Sequence, residues 1–187
     1  MALRVCTTAL SQNALQIGVG SVHDSTAWYV VSYPSFFSDP ITFKQNVITT
    51  GGAYATPVVL TAAQSGSCIL VDAAAGLDFT LPAIATADIG IWYRFIVTTT
   101  ITSNNFRVTA AAGDFLNGGV WIADFDTANT GAYFTANGSS HLACTMNGST
   151  TGGKKGTVVE FTAINATGWY VTGIQVFGDG AIATPFS

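Results

Sequence analysis

The sequence predicts an all-β protein: an antiparallel β-sandwich or jelly-roll-like domain that follows an extended N-terminal arm. The first reason is composition, since the chain contains 26 Thr and 12 Phe but only 3 Lys and a single Glu, and β-branched and aromatic residues favour strands. The second is a period-2 alternation of apolar and polar residues, which marks half-buried strands. The third is the recurrence of Gly, Asn and Pro between these runs, at a spacing of roughly 8–15 residues that is typical of sandwiches and barrels.

Ten segments from residue 51 onward are predicted to be strands. In the segment 91–99, Tyr93, Phe95 and Val97 share one face of the strand while the residues between them share the other. Only residues 85–89 could form a helical turn. The predicted strands lie near 57–61, 67–72, 78–81, 91–99, 105–110, 119–124, 131–135, 141–146, 156–163 and 168–177.

Tight turns are predicted where Asn precedes Gly, because both residues tolerate the left-handed backbone conformation. The dipeptide occurs at 117–118, 137–138 and 147–148. The last two, together with Asn165-Ala-Thr167, also match the N-glycosylation sequon. We interpret all three sequons as turn-forming sequence.

Residues 1–50 are predicted to form an arm with short strands, and residues 51–187 the β-sandwich domain. The stretch 33–43 is rich in aromatic residues, and Pro34 and Pro40 exclude a regular helix and disfavour a central strand there. Such an apolar segment must pack either on its own domain or on a neighbouring subunit. We expect an inter-subunit contact made by four aromatic residues: Tyr33, Phe36, Phe37 and Phe43.

The charge balance argues against several classes of function. The net charge is −4, and the six Lys and Arg residues are scattered, whereas a nucleic-acid-binding protein needs a basic patch. No run of about 18 apolar residues occurs, so we expect no membrane-spanning helix. The N-terminus lacks the continuous apolar core of a signal peptide, which predicts a protein made in the cytoplasm.

Candidate catalytic residues are few. His23 and His141 are the only possible imidazole bases, and no Gly-x-Ser-x-Gly elbow is present. His141 is therefore interpreted as a strand-end residue with a local hydrogen bond, and with Cys144 it makes only half of a zinc site. Three cysteines, Cys6, Cys68 and Cys144, are an odd number and lie far apart, which predicts buried free thiols.

Two loose groups of aspartates could bind calcium or hydrolyse glycosides. Neither group has EF-hand spacing, and catalytic carboxylate pairs usually include Glu, of which Glu160 is the sole example. We interpret these aspartates as turn residues that bond their own backbone. The first group is Asp114, Asp124 and Asp126, and the second is Asp72, Asp78 and Asp88.

The glycine-rich segment 148–156 resembles a Walker loop in part. Gly148 is followed after four residues by Gly153 and Lys154, but Lys155 stands where the motif needs a Ser or Thr for magnesium. We interpret the segment as a solvated loop. The sequence as a whole predicts no catalytic residues, no cofactor and no metal, and hence a protein that is not an enzyme.

Several segments resemble a pattern found in phage and prophage structural proteins. Residues 65–72 form a short strand, Asp78-Phe-Thr-Leu-Pro82 an "FTLP" strand end, and Gly90-Ile-Trp-Tyr-Arg-Phe-Ile-Val97 the "G-x-x-Y-x-F" opening of a long strand. Gly113-Asp114 and the closing Gly168-Trp-Tyr-Val-Thr-Gly173 are similar to the same group. The similarity spans roughly 65–177, carries no active-site motif, and occurs in both head-decoration and tail-fibre proteins.

The resemblance implies a virion structural protein, and we expect a capsid decoration (cement) protein on the outer head surface. Its partners would be the major capsid protein and other copies of itself, as a homotrimer, with no nucleic acid and no membrane. A negatively charged domain is ill-suited to contact packaged DNA. The alternative is a tail-fibre or receptor-binding domain that recognises host glycans. Four aromatic residues are available for such a site, although we interpret them as core or subunit-interface residues: Trp92, Trp121, Trp169 and Tyr170.

Overall fold

The computed structural model describes residues 47–48, 52–53, 55–126 and 130–187. Most of the predicted arm, residues 1–50, therefore lies outside the described residues. The same holds for all four aromatic residues predicted to make an inter-subunit contact, namely Tyr33, Phe36, Phe37 and Phe43. From the arm the structure describes only Val47–Ile48, which is a short strand.

Strands dominate the described residues, and each of the ten predicted strands is present with shifts of a few residues at its ends. A 3-10 turn at Thr86–Asp88 confirms the predicted helical turn, but the prediction that no other segment could form one is wrong, because a second 3-10 turn lies at Ala62–Gln64. No helix in the described part of the chain is long and apolar enough to cross a membrane. The strands are β1 (Val47–Ile48), β2 (Gly52–Ala53), β3 (Val58–Val59), β4 (Ser67–Val71), β5 (Leu77–Thr80), β6 (Trp92–Val97), β7 (Phe106–Thr109), β8 (Phe115–Asp124), β9 (Ala132–Asn137), β10 (Ala143–Met146), β11 (Val158–Asn165) and β12 (Gly168–Gly178).

The strands form two mixed sheets. Sheet 1 has the order β1-β4-β6-β11-β12-β8-β9, and sheet 2 has the order β10-β7-β5-β2, with β3 also paired to β5. The fold is therefore all-β, as predicted. The predicted antiparallel pairing is wrong for five strand pairs, which run parallel: β1–β4, β4–β6, β3–β5, β5–β7 and β8–β12.

The parallel pairs follow from the path of the chain. Strands β4, β5, β6 and β7 alternate between sheet 1 and sheet 2. Between two strands of one sheet the chain therefore forms a strand of the other sheet. When it returns to the first sheet, the new strand can run in the same direction as the earlier one. Alternation of apolar and polar residues records which face of a strand is buried. It does not record the direction of the neighbouring strand.

Aromatic rings from both sheets meet in the core. The Phe95 ring of β6 lies 5.1 Å from the Phe79 ring of β5 and 5.5 Å from the Phe106 ring of β7, measured between centroids. Within sheet 1 it also meets the Phe161 ring of β11, at 5.6 Å and nearly perpendicular. These side chains and Tyr93 are all but completely buried. Each such burial contributes about 1.5–3 kcal/mol. The predicted alternation along β6 is confirmed, with Tyr93, Phe95 and Val97 on the buried face.

The Asn-Gly turns are confirmed at 137–138 and 147–148 and wrong at 117–118. Gly118 has a φ of 92° but lies inside β8, where Asn117 and Gly118 pair with strands on both sides. A Cβ at Gly118 would collide with the carbonyl of Val171 and with the Tyr170 ring. The positive φ therefore serves a close approach between strands.

The two remaining Asn-Gly turns share one hydrogen-bonding pattern. The Asn137 Oδ1 accepts from the backbone N–H groups of Ser139, Ser140 and His141, and Asn147 accepts in the same way from Ser149 and Thr151. The third sequon also has an Asn whose side chain accepts from the backbone two residues on. Their interpretation as turn-forming residues is confirmed.

Candidate functional site

Three large aromatic side chains lie exposed on the outer face of sheet 1. Trp121 of β8 is 54% exposed, Tyr133 of β9 is 56% exposed and Tyr170 of β12 is 45% exposed. The three strands are neighbours in the order β12-β8-β9. Soluble proteins rarely leave such side chains uncovered in one region unless the region binds something.

The strand register arranges the residues around these rings in rows. Tyr170, Asn117 and Asn137 are directly paired across the three strands, as are Thr172, Gly119 and Thr135 in the next row. Trp121 pairs with Tyr133 in the third row. Directly paired residues project from the same side of a sheet. We call the resulting surface the aromatic face, and it consists of Trp121, Tyr133, Tyr170, Asn117, Gly119, Thr135, Asn137 and Thr172.

Glycines make room for the rings of the aromatic face. A Cβ built at Gly119 would lie 2.6 Å from the Tyr133 Oη, and one at Gly131 would lie 3.1 Å from the Trp121 ring. The Tyr133 side chain thus leans across β8 and covers the backbone at Gly119, and the Trp121 ring lies against Gly131, which precedes β9.

The aromatic face carries no ionic charge. Its polar groups are amides and hydroxyls, and the carboxamide of Asn117 makes no side-chain hydrogen bond within the described residues. The nearest charged pair on the same side of sheet 1 is Arg94 and Glu160, 2.7 Å apart, of which Glu160 pairs with Thr172. That pair is neutral as a unit, and Arg94 also lies over the Trp92 ring.

The four aromatic residues named as candidates from the sequence differ in how deeply they are buried. Trp169 is fully buried, which confirms its interpretation as core. Trp92 is half-buried, whereas Trp121 and Tyr170 are exposed, so a place in this chain's own core is wrong for those two. Tyr133 was missed, because it stands beside Phe134 and the sequence does not show which of two adjacent aromatic residues faces outward.

The aspartates do not act alike. Asp124 accepts from the backbone N–H of Asp126, which confirms a turn role. That role is wrong for Asp114, whose carboxylate accepts from the N–H of Ile84, thirty residues away. It is also wrong for Asp78, which is buried and paired with Arg107 of the neighbouring strand. No group of three or more His, Cys, Asp or Glu within the described residues is placed to hold a metal ion.

His141 and Cys144 have local structural roles. The His141 Nδ1 accepts from the N–H of Asn137, and its ring stacks on Phe186, which confirms the prediction of a local hydrogen bond. Burial raises the pKa of Cys144 to about 12. Cys68 and Cys144 are both buried free thiols, as predicted, while Cys6 lies outside the described residues.

The glycine-rich segment 148–156 is packed against the fold. Gly152 and Gly153 are buried, so the interpretation as a solvated loop is wrong for them. The Lys154 Nζ lies 2.6 Å from an Asp179 carboxylate oxygen and over the Phe125 ring. The hydrogen bond from Lys154 lowers the pKa of Asp179. The lysine is thus engaged by a carboxylate of its own chain.

No family model, curated protein or solved structure matches this chain.

Proposed function

We propose that this protein is a non-enzymatic structural component of a phage virion, a capsid decoration (cement) protein that stabilises the outer head surface. The observation that carries the proposal is the aromatic face of sheet 1, which leaves Trp121, Tyr133 and Tyr170 exposed on adjacent strands. Exposed aromatic residues on a surface poor in charge are typical of protein–protein contacts. The partners would be the major capsid protein and other copies of this chain, as a homotrimer.

The resemblance to phage structural proteins supports the proposal through the residues of the core. Its segments coincide with β4, β5, β6 and β12, and their large side chains, Phe79, Tyr93, Phe95 and Trp169, are fully buried. The recurring pattern is therefore one of core packing. We infer from the ring contacts between sheet 1 and sheet 2 that the two sheets of this all-β fold pack face to face as a β-sandwich.

The charge of the chain favours the outer surface of the head. Only 9% of its residues are charged and the net charge is −4. Packaged DNA repels a protein of this sign, whereas contacts with coat subunits need no basic patch. We therefore place the protein on the outside of the virion, after synthesis in the host cytoplasm, with neither nucleic acid nor membrane as a partner.

The arm has a separate role in this proposal. Residues Tyr33, Phe36, Phe37 and Phe43 would contact a neighbouring subunit. Deleting residues 1–46 spares β1 and every described residue, and we expect it to abolish both the oligomer and binding to the head. Light scattering of the purified protein measures the oligomer, and the full chain should give three times the 19.4 kDa of one chain. Co-sedimentation with heads that lack the protein measures binding.

The control is the full-length chain with Val59→Ala, a change at an exposed position of β3. It should form the same oligomer and sediment with heads as the unmodified chain does. An arm-deleted protein that kept its oligomeric mass and its binding to heads would contradict the role given to the arm. Failure of the full-length chain itself to sediment with heads would contradict the decoration proposal.

A further inference from the structure

We infer that β9 is a docking edge at which two copies of this chain pair their β9 strands, antiparallel and related by a two-fold axis. Backbone groups in the plane of sheet 1 make this contact. It is distinct from the aromatic face, whose side chains project from the sheet. The inference goes beyond the proposed place of the protein in the virion and does not rest on it.

The edge of sheet 1 at β9 lacks the usual protection of an edge strand. β9 is the last strand of sheet 1, and within the described residues no strand lies beyond it. Natural edge strands are shielded by charged residues, proline, bulges or a covering segment. β9 contains neither a charged residue nor a proline, and its pairing with β8 is regular. The edge is therefore open to a further strand.

The other sheet edges in the described part of the chain differ from β9. β10, at one edge of sheet 2, is covered by residues near the end of the sequence. The N–H groups of Leu142 and Ala143 donate to the Ser187 carbonyl, and that of Thr145 donates to the Pro185 carbonyl. The strands β1 and β2 are only two residues long. With six residues, β9 is the longest open edge among the described strands.

Alternate residues of β9 direct their backbone groups away from β8. The N–H of Gly138 donates to the Leu116 carbonyl. In an antiparallel ladder, residues that bond one neighbouring strand alternate with residues whose N–H and C=O point the other way. The even-numbered residues of β9 therefore bond β8. The residues whose backbone groups point to the open edge are Tyr133, Thr135 and Asn137.

One of these three positions is already occupied. The N–H of Asn137 donates to the His141 Nδ1 at 3.1 Å, so the open part of the edge ends there. Tyr133 and Thr135 remain, and each presents one N–H and one C=O to the open side. Two adjacent donor–acceptor sets of this kind are what an antiparallel strand needs as a partner.

A second β9 fits this edge because the pattern is self-complementary. When Phe134 lies opposite Phe134 of the second copy, Tyr133 lies opposite Thr135 of the second copy, and the reverse pair is equivalent by symmetry. Each of these two pairs exchanges two hydrogen bonds, so about four backbone hydrogen bonds form. No charged residue stands on β9, so the two identical strands do not repel each other.

The same pairing covers an incompletely buried ring. Phe134 is partly buried and packs against the core. Opposed residues that share no hydrogen bond approach to about 4.5 Å between Cα atoms, which brings the two Phe134 rings together on the core side of the sheet. The Tyr133 ring leans the other way, across β8 toward Gly119, so it leaves the edge accessible.

The contact of one strand pair is small compared with a stable protein–protein interface. We therefore expect weak association, with a Kd of about 0.1–1 mM. Sedimentation velocity of the full-length protein is the measurement. The mean mass should rise by at least about twofold between about 10 µM and about 1 mM, above the mass of whatever oligomer is present at the lower concentration, and dilution should reverse the rise.

Three variants at one position separate the edge from the rest of the surface. Thr135→Pro removes an N–H that points away from β8, so it keeps the hydrogen bonds of sheet 1 and should abolish the rise in mass. Thr135→Val keeps the N–H and should associate as the unmodified chain does. Thr135→Lys brings like charges together across the pair and should weaken association about 10-fold. Thermal unfolding checks that each variant is folded.

Cysteine cross-linking tests the register. Tyr133→Cys chains mixed with Thr135→Cys chains should form a disulfide-linked dimer at least about 10-fold faster than either variant alone, because directly opposed Cα atoms are close enough for a disulfide. The unmodified chain measures the background from the native thiols. Equal rates in the mixture and in the separate variants would contradict the register.

Three outcomes of the sedimentation experiment would overturn the inference. They are a mass that does not change up to about 1 mM, association of Thr135→Pro equal to that of the unmodified chain, and loss of association in Trp121→Ala. The last result would place the contact on the aromatic face, since Trp121 lies on β8. The experiment uses no phage heads, so the pairing and the decoration proposal can fail separately.

Discussion

One ion pair joins two neighbouring strands of sheet 2. Asp78 of β5 is buried at 1% exposure, and the Arg107 guanidinium of β7 reaches it with two nitrogens. We expect Asp78→Asn to lower the free energy of unfolding by about 3 kcal/mol, because the variant leaves a partly buried guanidinium without this carboxylate. Denaturant unfolding measures the change.

The control for that prediction is Glu160→Gln in sheet 1. Arg94 and Glu160 are also paired across strands, but both are more exposed to solvent. Water screens such a pair, and its loss should lower the free energy of unfolding by about 0.5 kcal/mol. Equal losses in the two variants would show that burial of Asp78 is unimportant.

The buried Cys144 thiol should make stability depend on pH in alkaline solution. Burial raises its pKa from 9.0 to about 12. The stabilising contribution is complete below the unfolded-state pKa and is lost as the pH rises toward the folded-state pKa, since only the unfolded thiol ionises in between. Between pH of about 9 and about 11, the free energy of unfolding should fall by about 1 kcal/mol for each pH unit through this group.

Cys144→Ala removes that contribution, so its stability should fall less steeply over the same range. Tyr93 has a pKa raised to about 12 by burial, and by Asp88 to a lesser extent, and it contributes a residual slope in both proteins. Parallel stability curves for the variant and the unmodified chain would contradict the role of the Cys144 thiol.

Turns differ in how strictly they require glycine. Gly148 and Gly113 both have positive φ, but a Cβ at Gly148 would collide with the Ile101 carbonyl whereas one at Gly113 would meet nothing. We expect Gly113→Ala to lower the free energy of unfolding by about 1–2 kcal/mol through backbone strain alone. Gly148→Ala should exceed that by at least about 2 kcal/mol. Thermal unfolding of both variants is the measurement, and similar losses would be the contrary result.

The strands could be predicted from the sequence, but their directions could not. Alternation such as Tyr93, Phe95 and Val97 reports a buried face, and all three are buried. It does not report that β6 runs parallel to β4 and antiparallel to β11. Likewise the Asn117-Gly118 dipeptide supplies a positive φ, but both residues pair with β12 and β9, so they lie within a strand instead of forming a turn.

The aromatic face could be predicted only in part, because it depends on contacts between distant segments. Trp121 and Tyr170 could be named as candidates from composition. Trp121 pairs with Tyr133 of the next strand along the chain, but Tyr170 joins them only because β12, which is distant in sequence, lies beside β8. Aromatic residues are also common in protein cores, and Trp169 is fully buried, so residue type alone does not predict exposure.

At the scale of the whole molecule, the chain carries few charged residues, and none of the residues of its exposed aromatic face is charged. The chain has ten acidic and six basic residues, and among the described residues Arg94, Arg107 and Lys154 each pair with a carboxylate of the same fold. The aromatic face itself is left to aromatic, amide and hydroxyl groups. Such a surface favours contacts made by shape and hydrogen bonding, which suits a protein that stays attached to a particle.

Immunogold electron microscopy of phage particles, with antibody against this protein, tests the central claim most directly. The decoration proposal predicts gold distributed over the outer surface of the heads. Gold confined to the tail tips would contradict it in favour of a receptor-binding role, and particles without any gold would contradict a place in the virion.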